Sequence, residues 1–523
     1  MRLCTLLFSL FIFLNSYAQD IDVQHYRFQL QLADETDKIF GKAQIAIKYL
    51  QTTQDISLNL VQEKNGKGMK VDSVKGGNVA SFQQLNDRLH IRFKSTFSAN
   101  LIDTLEIKYS GIPANGLIIS KNKFGDRTFF SDNWPNRAHH WIPCNDVIND
   151  KASVEFIVIA PSYYQVISNG VQVEETNLSK AQKLTHWKET IPIPTKIMVI
   201  GVAQFAVANL DSSQEVPATG WVYPQNKQKG LYDYAIAPGI MEFFTLYIAP
   251  FPFQKLAHVQ STTIFGGMEN ASAIFYDENS VTGTRSSEGT VSHEIVHQWF
   301  GNMASEKSFA HLWLSEGFAT YLTLIYWEQK YGKAAFQKKL AEDRVKVIAF
   351  ARKNKNPVVD TISSFMDLLN ENSYQKGAWV LHMLRGEVGD DAFHKIIQTY
   401  YARYKGGNAD TRDFQAVAEK VSGKNLRVFF DQWLYKGGIP IIKIKWNYGA
   451  GKVQFRLEPS ASNKFTFPLT LAFVDAKGKQ ELHKINISPN TSTFTLPASV
   501  KPSKIILDPD VELLFEGSIT EMK

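Results

Sequence analysis

Two histidines four residues apart, with a glutamate between them, form the stretch His293-Glu294-Ile295-Val296-His297, and Glu316 follows nineteen positions after His297. Imidazole and carboxylate are donor types that hold a divalent zinc ion. On a helix, residues i and i+4 lie about 40° apart around the axis, so His293 and His297 project from one face. Both ring nitrogens then reach one ion at ~2.0–2.1 Å. Glu294 falls beside them, close enough to touch a water at the metal without serving as a ligand. Glu316 is the candidate third ligand. A fourth position stays open for water, which is the arrangement of a catalytic zinc site.

The elements that must position these groups are readable around them. Ser286-Ser287-Glu288 predicts a helix start. Val291, Ile295, Val296, Trp299 and Phe300 supply that helix with an apolar stripe. After Gly301 and Asn302 a short polar stretch leads to Leu312–Tyr321, where Ser315 is the predicted N-cap of a second helix running toward Gly332. Glu316 then sits in the first turn. Two helices joined by a compact turn can set Glu316 against the histidine pair. The competing reading is an amphipathic helix whose histidines are merely hydrogen-bonded.

His-Glu-Ile-Val-His-Gln-Trp-Phe-Gly-Asn followed by Leu-Trp-Leu-Ser-Glu-Gly-Phe-Ala resembles the gluzincin aminopeptidases, the family of aminopeptidase N and leukotriene hydrolase. Upstream, Gly266-Gly267-Met268-Glu269-Asn270 resembles that family's exopeptidase motif. Downstream, Tyr374-Gln375-Lys376-Gly377-Ala378 resembles its catalytic-tyrosine segment. The three stretches stand in the family's order. The resemblance implies one Zn²⁺ per chain, held by His293, His297 and Glu316, with Glu294 and Tyr374 as catalytic residues. It places substrate binding on Gly266, Gly267, Met268, Glu269 and Asn270.

Each motif has a physical job on this reading. Glycines at 266 and 267 allow an extended peptide to approach and pair with the backbone as an added strand. Glu269 would meet the free α-amino group of that peptide through a charge-assisted bond, which measures the substrate from its N-terminus. Glu294 would take a proton from the attacking water and hand it to the leaving amine. The Tyr374 phenol would stabilise the charge developing on the scissile carbonyl oxygen. The implied activity is a zinc metallo-aminopeptidase acting on peptides with a free N-terminus. The alternatives are a zinc hydrolase of other specificity, such as a dipeptidase or endopeptidase, and a non-catalytic binding protein of the same fold.

The 523 residues exceed a single core and suggest several domains. Residues 1–18 read as a signal peptide: Arg2, an apolar run from Leu6 to Leu14, and a Ser16-Tyr17-Ala18 cleavage site. Export without a membrane anchor, to a bacterial periplasm or medium, is the expectation. With Cys4 in that segment, Cys144 stands alone, which excludes an internal disulfide in the processed chain and suits a buried small hydrophobe. A net charge of +6 with no lysine-arginine block argues against nucleic acid. The oligomeric state stays open.

Residues 19–208 read as an N-terminal β domain, a sandwich or saddle, from alternation at Tyr26–Leu32, Ala43–Tyr49 and Leu89–Phe93, closed by a strand over Gly201–Val207. Residues 209–438 open with a short strand-like stretch and turn mainly helical; the resemblance makes this a thermolysin-like catalytic domain. Alternation returns over 439–523, at Ile442–Trp446, Val453–Leu457 and Phe467–Val474, predicting a small C-terminal β-sandwich. The fold class is therefore multidomain α+β. Long family members carry a further helical domain over the site, and a chain ending at Lys523 suggests a cleft that is more open or covered by a second subunit. The family's first-domain glutamine has no match near Phe130–Pro135, where Asp132 is the substitute to consider. Leu369 stands where leukotriene hydrolase has a second tyrosine, which disfavours lipid epoxide hydrolysis. His139, His140 and His311 lie outside any ligand spacing and read as structural.

Overall fold

The computed structural model describes residues 20–211, 216–458 and 465–522, so the expected signal segment at 1–18 lies outside the described residues. Along Ile21–Gln31, Val23, Phe28 and Leu30 are buried while Arg27 and Gln31 face solvent. That period of two is what a strand with one covered face requires. This strand pairs antiparallel with Ile39–Tyr49 and parallel with Lys151–Pro161, at the centre of a seven-stranded sheet. A three-stranded sheet and a four-stranded sheet add to it, and the N-terminal sheets share one apolar core that includes Cys144.

The closing strand expected over Gly201–Val207 is two strands in different sheets. Ile200–Ala203 belongs to the four-stranded sheet, and Ala206–Asp211 begins the next one. Phe205 causes the break. Its ring turns into an aromatic cluster, 5.7 Å from Trp221 and stacked on Tyr223 at 6.2 Å, while its N–H donates to Gln165 Oε1 instead of a neighbouring strand.

The middle of the chain opens with more β structure than the sequence suggested. A five-stranded sheet runs Ala206–Asp211, Ala218–Val222, Leu256–Ser261, Ala273–Asp277, Gly267–Met268, so the short strand carrying Gly267 lies at the edge. Around it stand nine α-helices among the described residues: α1 (Lys227–Tyr234), α2 (Ala237–Tyr247), α3 (Glu288–Val296), α4 (Trp313–Tyr331), α5 (Lys333–Lys353), α6 (Gly377–Val388), α7 (Asp390–Tyr404), α8 (Thr411–Ser422) and α9 (Arg427–Leu434). Local chemistry sets their ends. In α8, Asp410 accepts from the N–H groups of Arg412 and Asp413, Asp413 accepts from the Asp410 N–H, and Gly423 closes the helix at φ 69°.

After α9 the chain returns to strands, in a four-stranded and a three-stranded sheet whose buried faces continue the apolar core of the helical region. The molecule is mixed α+β, with a β-rich N-terminal region and a helical region that carries the motifs. Among the described residues no helix is long and apolar enough to cross a membrane.

Candidate metal centre and peptide cleft

Helix α3 ends at Val296, and His297 follows as its C-cap while still in helical conformation, so the two histidines keep their i, i+4 relation. Helix α4 begins at Trp313 rather than after Ser315. A 3₁₀ turn over Phe309–His311 feeds directly into it, Leu312 is the cap, and no side chain serves as N-cap. Ser315 is instead buried in the first turn, with its Oγ 3.1 Å from His297 Nδ1. Glu316 lies in that first turn, as expected.

Three donor atoms meet in a nearly equilateral triangle. His293 Nε2 and His297 Nε2 are 3.0 Å apart, and Glu316 Oε2 is 3.1 Å from the first and 3.3 Å from the second. A tetrahedral site with bonds of ~2.0–2.1 Å has donor-to-donor edges of about 3.3–3.4 Å, so one face of such a site fits this triangle closely. His297 Nδ1 donates to the Phe300 carbonyl at 3.0 Å, which turns the lone pair of Nε2 toward the other two donors. The residues present therefore fit a zinc ion. The surrounding charge agrees: Glu269, Glu294 and Glu316 share a buried space with two imidazoles, and buried carboxylates in excess call for a cation.

Local fields follow from that crowding. Burial pushes the Glu294 carboxyl well up, His297 opposes this, and the Glu269 and Glu316 carboxylates add to it. Burial also raises Glu269. Burial raises Tyr374 too, as do the charges of Glu316, Glu269 and Glu294. For Glu316 burial is outweighed, first by His297 and then by hydrogen bonds from both histidines, and its carboxyl sits low. His297 rises to about 10, because Glu316, Glu269 and Glu294 together overcome its burial.

The triangle lies in a cavity of about 520 Å³ whose wall also carries Gly266, Gly267, Met268, Glu269, Glu294 and Tyr374. Gly267 and Met268 pair antiparallel with Tyr276 and Phe275 on one side only, leaving the other edge of the strand unpaired within its sheet. Gly267 passes directly over Glu294: a Cβ there would stand 2.6 Å from Glu294 Cδ. Tyr374 sits in a turn of π-helix over Asn372–Lys376 that leads into α6, and its ring stacks on His293 at 5.9 Å and 16°. That turn comes close because α4 and α6 cross at two glycines. A Cβ on Gly317 would lie 2.9 Å from Gly377 Cα.

Not every expected group joins the site. Asn270 is fully buried and does not line the cavity. Asp132 does not reach it either. Its carboxylate takes Arg137 Nη2 at 2.6 Å, and the Thr263 hydroxyl and Ile264 N–H at 3.1 Å, so it braces the loop entering Gly266. His139 bonds Asp146 and His311 bonds Thr411, away from the triangle.

Two residues whose roles the sequence did not reveal hold the segment over residues 266–270. Gln298 Nε2 and Asn302 Nδ2 donate to the Glu269 carbonyl at 3.1 and 2.7 Å. Both lie just past His297, inside the stretch that carries the resemblance, but nothing in their spacing names a partner some thirty residues earlier.

Two family models match the chain, Peptidase M1 N-terminal domain over residues 22–197 and Peptidase family M1 domain over residues 232–433. The chain is 26% identical over 472 residues to glutamyl aminopeptidase of Rattus norvegicus, a match covering 84% of this chain and 49% of that protein. It is 26% identical to aminopeptidase A of Gloydius brevicauda, covering 86% of this chain and 49% of that one. It is 25% identical to probable aminopeptidase 2 of Sulfurisphaera tokodaii, covering 91% of this chain and 62% of that one. The chain thus spans about half the length of the first two relatives.

Proposed function

The chain belongs to peptidase family M1, and from that premise we propose that it is a zinc-dependent aminopeptidase that removes residues one at a time from peptides with a free N-terminus. One observation carries the reading: a three-donor triangle with edges of 3.0–3.3 Å on the wall of a cavity that also presents Glu269 beside an unpaired strand edge. On this reading the catalytic unit is a thermolysin-like region over 209–438, framed by an N-terminal β domain and a C-terminal β-sandwich.

His293, His297 and Glu316 would hold the zinc ion. When bound, the ion supplies Lewis acidity toward a peptide carbonyl and a water nucleophile. The strand edge at Gly266–Met268 receives the substrate backbone as an added strand. Glu269 accepts the ammonium group and so sets the scissile bond one residue further along. Glu294, under Gly267, takes the proton of the attacking water and returns it to the leaving amine. The Tyr374 phenol donates to the carbonyl oxygen as negative charge develops there. Phe300 and Ser315 keep His297 oriented through its Nδ1.

The test is Glu294→Gln. The variant is expected to keep one zinc per chain by elemental analysis and to lose turnover of leucyl-arylamide by ~10²–10⁴-fold. The wild-type protein should cleave unblocked peptides and leave their N-acetylated forms intact. Near-full activity in the variant, or equal cleavage of blocked peptides, overturns the reading.

A further inference from the structure

We propose that this cleft selects a large apolar residue at the substrate N-terminus and rejects an acidic one. The inference rests on the aminopeptidase reading, which places the ammonium at Glu269.

The direction of the cleft follows from how α3 and α4 pack. They run antiparallel. His297, at the end of α3, touches Ser315 at the start of α4. Further along, the Ser292 and Thr323 hydroxyls meet at 3.2 Å, and Glu288, which opens α3, accepts from the Tyr326 and Tyr331 hydroxyls near the end of α4 at 2.9 and 2.6 Å. The groove between them thus has two ends. Glu269 belongs to the His297 end, where Gln298 and Asn302 hold its carbonyl. Gly289, Thr290 and Trp327 line the cavity at the other end. Trp327 is eleven residues past Glu316, about 16 Å along the helix axis. A peptide anchored at Glu269 therefore runs toward Thr290 and Trp327, and its first side chain must be housed by the wall beside Glu269.

That wall is apolar. It consists of Trp134, Phe265, Met268 and Leu369. Trp134 and Phe265 meet edge to face at 5.9 Å. Phe265 and Leu369 are half-buried against the same apolar cluster that contains Trp134 and Met268. Gln375 adds one neutral polar group. Among the described residues lining the cavity, the lysines are Lys339 and Lys346, both on α5, and arginine is absent. Lys339 lies over Trp327 at 5.0 Å, at the far end, and Lys346 donates to Asp343 at 2.8 Å. Arg137 packs near Phe265, but its guanidinium is engaged by Asp132 and the Trp134 carbonyl.

An acidic first side chain would meet hydrocarbon, with Lys346 the one remaining lining cation and already paired to Asp343, next to the carboxylates of Glu269, Glu294 and Glu316. A buried charge without a partner is strongly disfavoured. A leucine, methionine or phenylalanine side chain would be desolvated against matching surface, and each methylene added in such a pocket is worth roughly 10-fold or more in kcat/KM.

The experiment is the kcat/KM profile of the zinc-loaded protein on leucyl-, methionyl-, phenylalanyl-, alanyl-, arginyl- and glutamyl-arylamides. A large apolar residue is expected to be fastest, with the glutamyl substrate at least about 100-fold slower. A charged residue or alanine in first place overturns the proposal. Thermal shift with leucine amide and glutamate α-amide tests the same wall without turnover, and stronger stabilisation by the glutamate amide also overturns it. Failure to cleave any unblocked substrate, with leucine amide still preferred, would count against the aminopeptidase reading and not against the wall. Leu369→Arg sets a cation on the wall and should lower the leucyl-to-glutamyl ratio by about 10-fold or more; an unchanged ratio in a folded variant removes Leu369 from the specificity wall.

Discussion

A methyl group on Gly267 would stand 2.6 Å from Glu294 Cδ and 2.7 Å from its Cγ, well inside contact distance. The strand must lift or the carboxylate must swing, and either movement approaches 1 Å. Displacements of that size at a reacting group cost about 100-fold. Gly267→Ala should therefore lower kcat by about 100-fold while zinc content and folding stay normal, read by steady-state kinetics beside metal analysis. Unchanged kcat would mean that Glu294 is not the group that moves the proton. At this scale the sequence was partly legible. His293, Glu294 and His297 could be read because helical geometry alone aligns them, and Glu316 because a helix start precedes it. Ser315, Gln298 and Asn302 could not, since a hydrogen bond to a backbone carbonyl or a ring nitrogen across the fold leaves no spacing to recognise. Asn270 shows the converse: it stands in the motif, yet its side chain is fully buried behind the cavity wall.

Helices α4 and α6 carry Glu316 and follow Tyr374 respectively, and their crossing decides whether those two groups meet. At Gly317 an added Cβ faces backbone on three sides: Gly377 Cα at 2.9 Å, its carbonyl carbon at 3.0 Å and the Ser373 carbonyl oxygen at 3.2 Å. None of these is a flexible side chain. In an open helix, Gly→Ala stabilises by about 1 kcal/mol. Here the overlap reverses the sign, and Gly317→Ala should destabilise by about 1–3 kcal/mol. It should also reduce kcat more than it raises KM, because the Tyr374 turn is pushed from Glu316 while Glu269, the proposed ammonium partner, is untouched. Thermal unfolding and kinetics check both parts, and a more stable, fully active variant would contradict the crossing. Element boundaries were less legible than element types. Helix α4 was expected from Ser315 as its cap and Gly332 as its end, but its start was misplaced because a 3₁₀ turn does the work of a cap. The strand over Gly201–Val207 was misread because Phe205 breaks it for the sake of aromatic packing, which period-two alternation does not register.

Over the whole molecule, the change of hydrophobic period from two to helical and back revealed β-rich ends around a helical middle. What holds the parts together was hidden, because it depends on residues more than a hundred positions apart. Lys151, at the start of a strand in the seven-stranded sheet, donates to the carbonyls of Asn302, Met303 and Gly407 at 3.2, 2.8 and 2.9 Å. Lys196, in the turn that follows the neighbouring strand, is paired with Glu306 at 2.8 Å, with 2% and 0% of their side chains exposed. Both lysines grip the segment that leaves α3, and Asn302 in that segment holds the Glu269 carbonyl. The two lysines thus brace the Glu269 segment from outside the cavity, while Trp134 of the same N-terminal region lines it. A buried ion pair adds little net stability, yet removing one partner strands a charge and costs about 3–5 kcal/mol. Lys196→Met should accordingly lower the melting temperature by several degrees, since Glu306 Oε2 already lacks a protein partner. Adding Glu306→Leu removes the stranded charge and should recover most of that loss. Calorimetry on the single and double variants separates the two contributions, and a double variant no more stable than the single would show that the pair acts through packing rather than charge.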